Sequence, residues 1–277
     1  MTRTRRMLVV ALVLVAATPA LQGRQQPPAA DVTLSPEEMA VFLRTARITK
    51  KARANKGVTD TIRATLSDGR ITHDAQIQIV DEEKTVFQAG RASEAGFKDT
   101  YRYNIGGYQL ARLLGMNNVP MSVKRRVDTH DAAVTWWIDD VQFDEEGRLK
   151  QTERQGPDPE RTLKQISTRL IFDELIQNRD RNQGNLLWTK DWTLWLIDHT
   201  RAFRLGKELM KPDQLSRCDR ALLAAMRTLT LAAMDKAMGD VMTDAEMKAV
   251  LVRRDLVVKH FEDRIARLGE GPVLFTM

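Results

Sequence analysis

The stretch from Asn178 to Asp198 constrains this chain more than any other. It runs Asn-Arg-Asp-Arg-Asn-Gln-Gly-Asn, then Leu-Leu-Trp-Thr-Lys-Asp-Trp-Thr-Leu-Trp-Leu-Ile, then Asp198. Residues 161–178 carry an amphipathic helical pattern, so Asp180 and Asn185 stand five apart in a polar loop leaving a helix. Asp198 comes thirteen residues after Asn185, at the end of an apolar run that as a strand would present it at a rim. Two carboxylates and an amide in this order are what metal-assisted phosphoryl transfer requires. One carboxylate positions the attacking hydroxyl, while the amide oxygen and the second carboxylate hold a magnesium ion on the phosphates.

Spacing alone is a weak signal. Asp99/Asn104 and Asp173/Asn178 repeat it, but both pairs fall on predicted helices, and Asp191, thirteen residues after Asn178, falls in a turn. The bland alternative is that Asp180 and Asn185 cap a tight turn. Context separates Asp180 from the other two pairs: a helix before it, a two-stranded hairpin after it, and an aspartate where the apolar strand ends.

The N-terminus predicts export. Arg3, Arg5 and Arg6 precede the apolar run Met7–Ala17, and Thr18-Pro19-Ala20 supplies a small-residue exit, which together describe a signal peptide over 1–23. Eleven apolar residues are too few to span a bilayer, where about 20 are needed. No other run approaches that length, so no transmembrane span is expected in the mature chain. Those three arginines are half of the net charge of +6, which weakens the case for nucleic-acid binding. The lone cysteine, Cys218, excludes an intramolecular disulfide and is read as a small core residue. Four histidines without helical pairing exclude a His-pair metal motif.

Residues 24–35 read as a flexible linker. Ser35-Pro36-Glu37-Glu38 then opens a helix expected to reach about Lys50, with Ser35 as cap. Strands follow from Gly57 to about Val86, including 61–66 and 71–80 around the Ser67–Arg70 turn. Tyr101–Leu114 is helical and stopped by Gly115. Val119–Val127 and Ala132–Val141 are strands, and 144–159 is a polar loop. Asp219–Leu231 and Thr243–Leu268 are helices, the second opened by the capping pair Thr243/Glu246. Hydrophobic residues at 43% and charged residues at 29% suit an ordinary globular body, expected to be a monomer with a β-rich first half and an α-rich second half.

The segment Phe172–Arg204 resembles the catalytic core of the atypical kinases: the phosphatidylinositol kinases, the HipA-type kinases and the secretory-pathway kinases. More closely, it is similar to a group of exported bacterial proteins with the same core, which also share stretches like Phe97–Pro120 and Thr135–Val141. The resemblance spans about Gly57–Leu268. It implies an α+β, protein-kinase-like, two-lobed fold, with an N-lobe over 36–141 and a helical C-lobe over 142–277. It also implies ATP, or another nucleotide, with Mg2+ or Mn2+ as cofactors, and a hydroxyl acceptor as partner. Asp180 becomes the catalytic aspartate; Asn185 and Asp198 become the metal ligands. Arg181 would brace the loop by pairing with a carboxylate, and His199 is read as a structural hydrogen-bonding residue.

The departures concern the phosphates. The third-strand lysine of kinases aligns with Gln78, and its helical glutamate partner aligns with Asn104. Lys84 and Lys98, with Glu94, are the nearby charged candidates, and only the Ser67–Arg70 turn could stand in for a glycine-rich loop. Losing a charge-assisted phosphate contact of about 1.5–3 kcal/mol weakens nucleotide binding roughly ten- to a hundred-fold. Trp136 and Trp137 end a strand near the lobe junction; by strand alternation one of them, taken as Trp137, could flank an adenine. The expected cofactor-binding residues are therefore Gln78, Lys84 and Trp137. The sequence supports a phosphotransferase acting on a hydroxyl of a protein, lipid or small molecule, with an exported pseudokinase as the rival favoured by Gln78 and Asn104.

Overall fold

The computed structural model describes residues 34–53, 61–89 and 92–277. The signal peptide expected at 1–23 and most of the linker lie outside the described residues. Helix α1 (Pro36–Thr45) is opened by the reciprocal cap read from the sequence: Glu38 N donates to Ser35 Oγ at 3.2 Å, and Ser35 N to Glu38 Oε2 at 2.9 Å. The helix stops at Thr45 rather than near Lys50. Residues Arg47–Arg53 form strand β1 instead, because pairing with the next strand outweighs their helical potential and Ile48 and Thr49 are β-branched.

Strands β2 (Ile62–Ser67) and β3 (Thr72–Gln78) are joined by the expected turn, where Asp68 Oδ1 accepts from the amides of Arg70 and Ile71 at 2.8 and 2.9 Å. Gly69 takes φ +88°, open to glycine at no steric cost. A hairpin follows, β4 (Asp81–Ala89) and β5 (Ala92–Thr100); the strand region expected to reach about Val86 takes in most of β4, whereas β5 was not expected. Its strands are charged and lack apolar alternation, so their pattern is not that of a half-buried strand. Asp99 thus ends a strand; it does not lie on a helix. Helix α2 (Arg102–Leu113) comes next and is closed by Gly115 at φ +73°. Strands β6 (Ser122–Val127) and β7 (His130–Trp136) complete an antiparallel five-stranded sheet in the order β1-β2-β3-β7-β6. One face of it, with Leu66, Ile77, Val123 and Val134, buries Phe42 and Leu43 of α1.

Beyond it lie β8 (Val141–Asp144), α3 (Glu145–Leu149), α4 (Pro159–Ile176), β9 (Leu186–Thr189) and β10 (Leu194–Leu196). The stretch expected as an unbroken loop holds α3 because Asp144 caps it, accepting from Gly147 N at 2.9 Å, and Arg148 folds back onto Glu145 at 2.7 Å. Strand β11 (Cys218–Asp219) precedes α5 (Arg220–Thr228), α6 (Leu231–Met238), α7 (Asp244–Leu268), α8 (Glu270–Val273) and β12 (Leu274–Phe275), which pairs with β11 in parallel. The helix expected over Asp219–Leu231 is α5, which stops at Thr228; Thr230 caps α6, a helix that was not expected, through Ala233 N at 3.2 Å. Among the described residues, no helix is long and apolar enough to cross a membrane.

A second apolar core joins α4 (Ile171, Phe172, Leu175) to α5, α6 and α7. Helix α2 belongs to this core through Ile105, Leu110 and Leu114, while its Tyr108 touches both cores. Cys218 is fully buried, and burial pushes its thiol up to about 12, which leaves it un-ionised and unreactive.

The cap of α7 is also a junction. Glu246 is buried and accepts from Tyr103 Oη at 2.6 Å, from Thr243 N at 2.8 Å, and pairs with Lys98 at 3.3 Å. Burial alone would raise its carboxyl; the Tyr103 and Thr243 hydrogen bonds and the Lys98 ammonium outweigh it and hold the group below the ordinary glutamate value. A carboxyl depressed on folding stabilises the fold above the unfolded value near 4.5 and loses that contribution as pH falls through its folded value. Melting temperature should therefore drop on acidification below about pH 4.5, and Glu246→Gln, melted over the same range, should show a smaller drop from a lower starting point.

Candidate functional site

Where the five-stranded sheet meets the helical part, a cleft of about 1270 Å³ opens. Its sheet side is lined by Lys50, Arg53, Thr61, Arg63 and Asp74, and its opposite limits include Asp99, Asp180, Asn185, Asp198 and Arg201. The three residues singled out from the catalytic segment thus border one cavity.

Local structure explains how each is held. Helix α4 ends at Gln177 in the left-handed region, φ +46°, and the chain turns sharply. Asp180 N donates to Asn178 Oδ1 at 3.1 Å, and Asn182 N to Asp180 O at 2.8 Å, which leaves the Asp180 side chain exposed at the mouth. A single 3₁₀ turn, Gln183–Asn185, carries Asn185, whose carbonyl accepts from Ile197 N at 3.1 Å. The loop is therefore tied to the end of β10, immediately before Asp198.

Arg181 is the brace expected of it. Its buried guanidinium bonds Asp173 Oδ1 of α4 at 3.0 Å and Ile197 O at 2.6 Å, linking the helix, the loop and the strand end. Asp198 itself takes φ +53°, a backbone state that aspartate tolerates better than most residues. Its Oδ1 accepts from Thr200 Oγ1 at 3.1 Å and Thr200 N at 3.4 Å. Burial raises its carboxyl above the ordinary aspartate value; the Thr200 and Gln78 hydrogen bonds oppose that, and the neighbouring Asp99 adds to it.

Gln78 and Asn104, aligned from the sequence with a lysine–glutamate ion pair, do meet: Asn104 Nδ2 donates to Gln78 Oε1. Gln78 Nε2 reaches Thr61 Oγ1 at 3.4 Å, and Asn104 Oδ1 accepts from His199 N at 2.7 Å. A buried neutral relay thus runs from the sheet through α2 to the residue after Asp198. His199 is buried, and desolvation drives its imidazole well below the ordinary histidine value, so the ring is neutral. Its ring packs so closely on α2 that a Cβ on Gly107 would lie 3.2 Å from it, which accounts for glycine there.

Other expected residues fall elsewhere. Lys84 pairs with Glu82 at 2.8 Å on the β4–β5 hairpin and does not border the cleft. Lys98 is engaged by Glu246 and by Glu83 at 3.6 Å, and the side chain of Glu94 lies outside the described residues. The Ser67–Arg70 turn does not border the cleft, whose sheet side is made by the strands. Both tryptophans border it, contrary to the alternation argument, because β7 ends at Trp136 and the pleat does not continue into Trp137. Trp136 stacks on His73 at 3.7 Å between centroids, while Trp137 carries the Arg63 guanidinium 4.3 Å above its ring.

Sequence reasoning missed Asp99 and Arg201. Arg201 Nε donates to Asp99 Oδ2 at 2.7 Å and its Nη1 to Asp180 Oδ2 at 3.4 Å, so one guanidinium spans two carboxylates of the cleft. The available signal was the basic residue three positions after Asp198; for Asp99 there was none once its segment had been taken as helical.

No family model matches the sequence, and no curated protein matches it. Solved structures do. The chain is similar to a hydra Fam20 structure with sugar, at 14% identity over 87% of this chain and 92% of that one, TM-score 0.66. It is similar to the Golgi casein kinase with Mn/ADP bound, at 13% identity over 86% of this chain and 78% of that one, TM-score 0.60. It is also similar to the Helicobacter pylori proinflammatory kinase CtkA, at 10% identity over 82% of this chain and 97% of that one, TM-score 0.52. With its β-rich N-terminal part, helical C-terminal part and cleft between them, the chain has the two-lobed α+β fold of the atypical, secretory-pathway type of kinase.

Proposed function

We propose that the chain is an exported, nucleotide- and divalent-metal-dependent phosphotransferase acting on a hydroxyl group of a protein, lipid or small molecule. The observation that carries this reading is the placement of Asp180, Asn185 and Asp198 around one cleft at the lobe junction. The lobes are taken as 36–141 and 142–277, with Met1–Gly23 as the export signal.

The donor set fits a hard cation. Carboxylate and amide oxygens suit Mg2+ or Mn2+, and Asp99 Oδ1 is buried in the same wall without a hydrogen-bond donor among the described residues. Asn185 and Asp198 would hold the ion, which when bound neutralises charge on the phosphates. Asp180, exposed at the mouth, would accept the hydrogen bond of the acceptor hydroxyl and orient it. Trp137 with Arg63 offers a stacked aromatic and guanidinium surface for a nucleobase. The neutral Gln78–Asn104 relay favours a second reading, a binding module that retains nucleotide without efficient transfer.

Binding is tested first. At about 100 times its Kd, Mn-ATP stabilises by ~2.7 kcal/mol, which raises the melting temperature of a chain this size by roughly 5–10 °C. Asp198→Ala should show no such rise. Equal shifts in the two proteins would remove the proposed metal site.

A further inference from the structure

We infer that Asp99 is an additional carboxylate ligand of the divalent ion in this cleft, and that Arg201 is the internal counter-cation which that ion displaces. The inference rests on the metal-dependent reading above and names a ligand that reading does not require.

Asp99 closes β5 and is 3% exposed, yet it borders the cleft. Its Oδ2 is held by Arg201, and its Oδ1 is buried with no hydrogen-bond partner among the described residues. A buried carboxylate oxygen left without a donor is costly, on the order of 1–3 kcal/mol, and the cost is met when a cation occupies the lone pair. Asp198 borders the same cleft as Asp99. Asp99, Asp180 and Asp198 all act on the single guanidinium of Arg201. One delocalised charge shared by three carboxylates leaves an excess of negative charge that a divalent ion would satisfy.

Position supports the same assignment. Asp99 lies five residues before Asn104, the helical position where an acid was expected and an amide stands. Thr100 N bonds Thr200 O at 2.9 Å, so the end of β5 is fixed directly to the segment that carries Asp198. The strand before α2 thus brings an acid to the cleft, while α2 itself presents the amide of Asn104. Arg201 can move aside without stranding its charge, since it also lies 5.4 Å from the Phe97 ring and within reach of Asp180.

Calorimetric titration of Mn2+ alone into the full chain tests this, with the Mn2+ EPR signal as a second readout of the bound ion. Asp99→Asn should raise the Mn2+ Kd at least about 10- to 100-fold, the loss caused by removing even a group that only supports a ligand. Arg201→Met should lower it, because it removes the competing cation; this arm stands even if Asp99→Asn folds poorly. If Asp99 serves only as the structural partner of Arg201, Asp99→Asn will bind Mn2+ as wild type does and Arg201→Met will not bind more tightly, which overturns the inference. Asp198→Asn separates the two levels. Binding abolished there but unchanged in Asp99→Asn sinks the Asp99 assignment alone, whereas a wild-type chain that takes up no Mn2+ sinks the metal-dependent reading together with it.

Discussion

Asp180→Asn should cut phosphoryl transfer from Mn-ATP by roughly 10²–10⁴-fold, the range over which a positioned general base acts. The same variant should keep the nucleotide-dependent rise in melting temperature. Two features make this separation clean. Asp180 is 53% exposed on its side chain, and exposed substitutions away from packed features usually stay within about 0.5 kcal/mol. Its backbone geometry is also set by Asn178 and Asn182 rather than by its own carboxylate. The contact it surrenders is one long hydrogen bond from Arg201 at 3.4 Å. Radiolabelled ATP with the chain itself and with added protein, lipid and small-molecule acceptors gives the measurement. Label transferred by wild type and by Asp180→Asn at equal rates would remove Asp180 from the chemistry. Nucleotide bound by wild type with no label transferred to any acceptor would support the binding-module reading.

The second large effect concerns stability. Arg253 on α7 is fully buried, and among the described residues no carboxylate pairs with it at contact distance. It donates instead to three backbone carbonyls: Leu175 and Arg204, each at 2.9 Å, and Gly206. Burial lowers its guanidinium to about 10, against the opposing pull of Glu208 and Glu174, and it remains charged at neutral pH. Leu175 lies near the end of α4, two residues before the left-handed Gln177, and residues 204–206 follow Asp198 by one turn of chain. One side chain thus fastens both segments that bear the candidate chemistry. Arg253→Met fills similar volume but leaves three buried carbonyls without donors. The expected loss is about 3–5 kcal/mol, or a fall in melting temperature of roughly 10 °C for a domain of this size. Calorimetry of the two proteins decides it; a loss below about 1 kcal/mol would mean that water or a neighbouring donor takes over those carbonyls.

These two residues also mark what the sequence discloses. Asp180, Asn185 and Asp198 were legible because each is defined by a local transition, helix to loop or strand to turn, written in adjacent residues. Caps were legible for the same reason, as Ser35 with Glu38 and Thr243 with Glu246 bear out. Arg253 carried no such mark, because its partners are 47, 49 and 78 positions away and are backbone atoms that any residue supplies. Strand β5 was missed because a charged strand without alternation shows no period of two, and Asp99 was misplaced with it. Strand β1 was missed because its identity comes from its neighbour in the sheet, not from its own composition. Gln78 and Asn104 were matched to a known ion pair by resemblance, but their mutual contact and its extension to the His199 amide are tertiary facts.

That amide contact has a consequence for how the molecule responds to its surroundings. An ionic strut between strand and helix weakens with added salt and breaks when either end changes its proton count. Amides neither titrate nor attract a screening atmosphere. The Gln78–Asn104 contact between β3 and α2 is therefore insensitive to ionic strength and to protonation. A chain built this way forgoes a toggle at that joint.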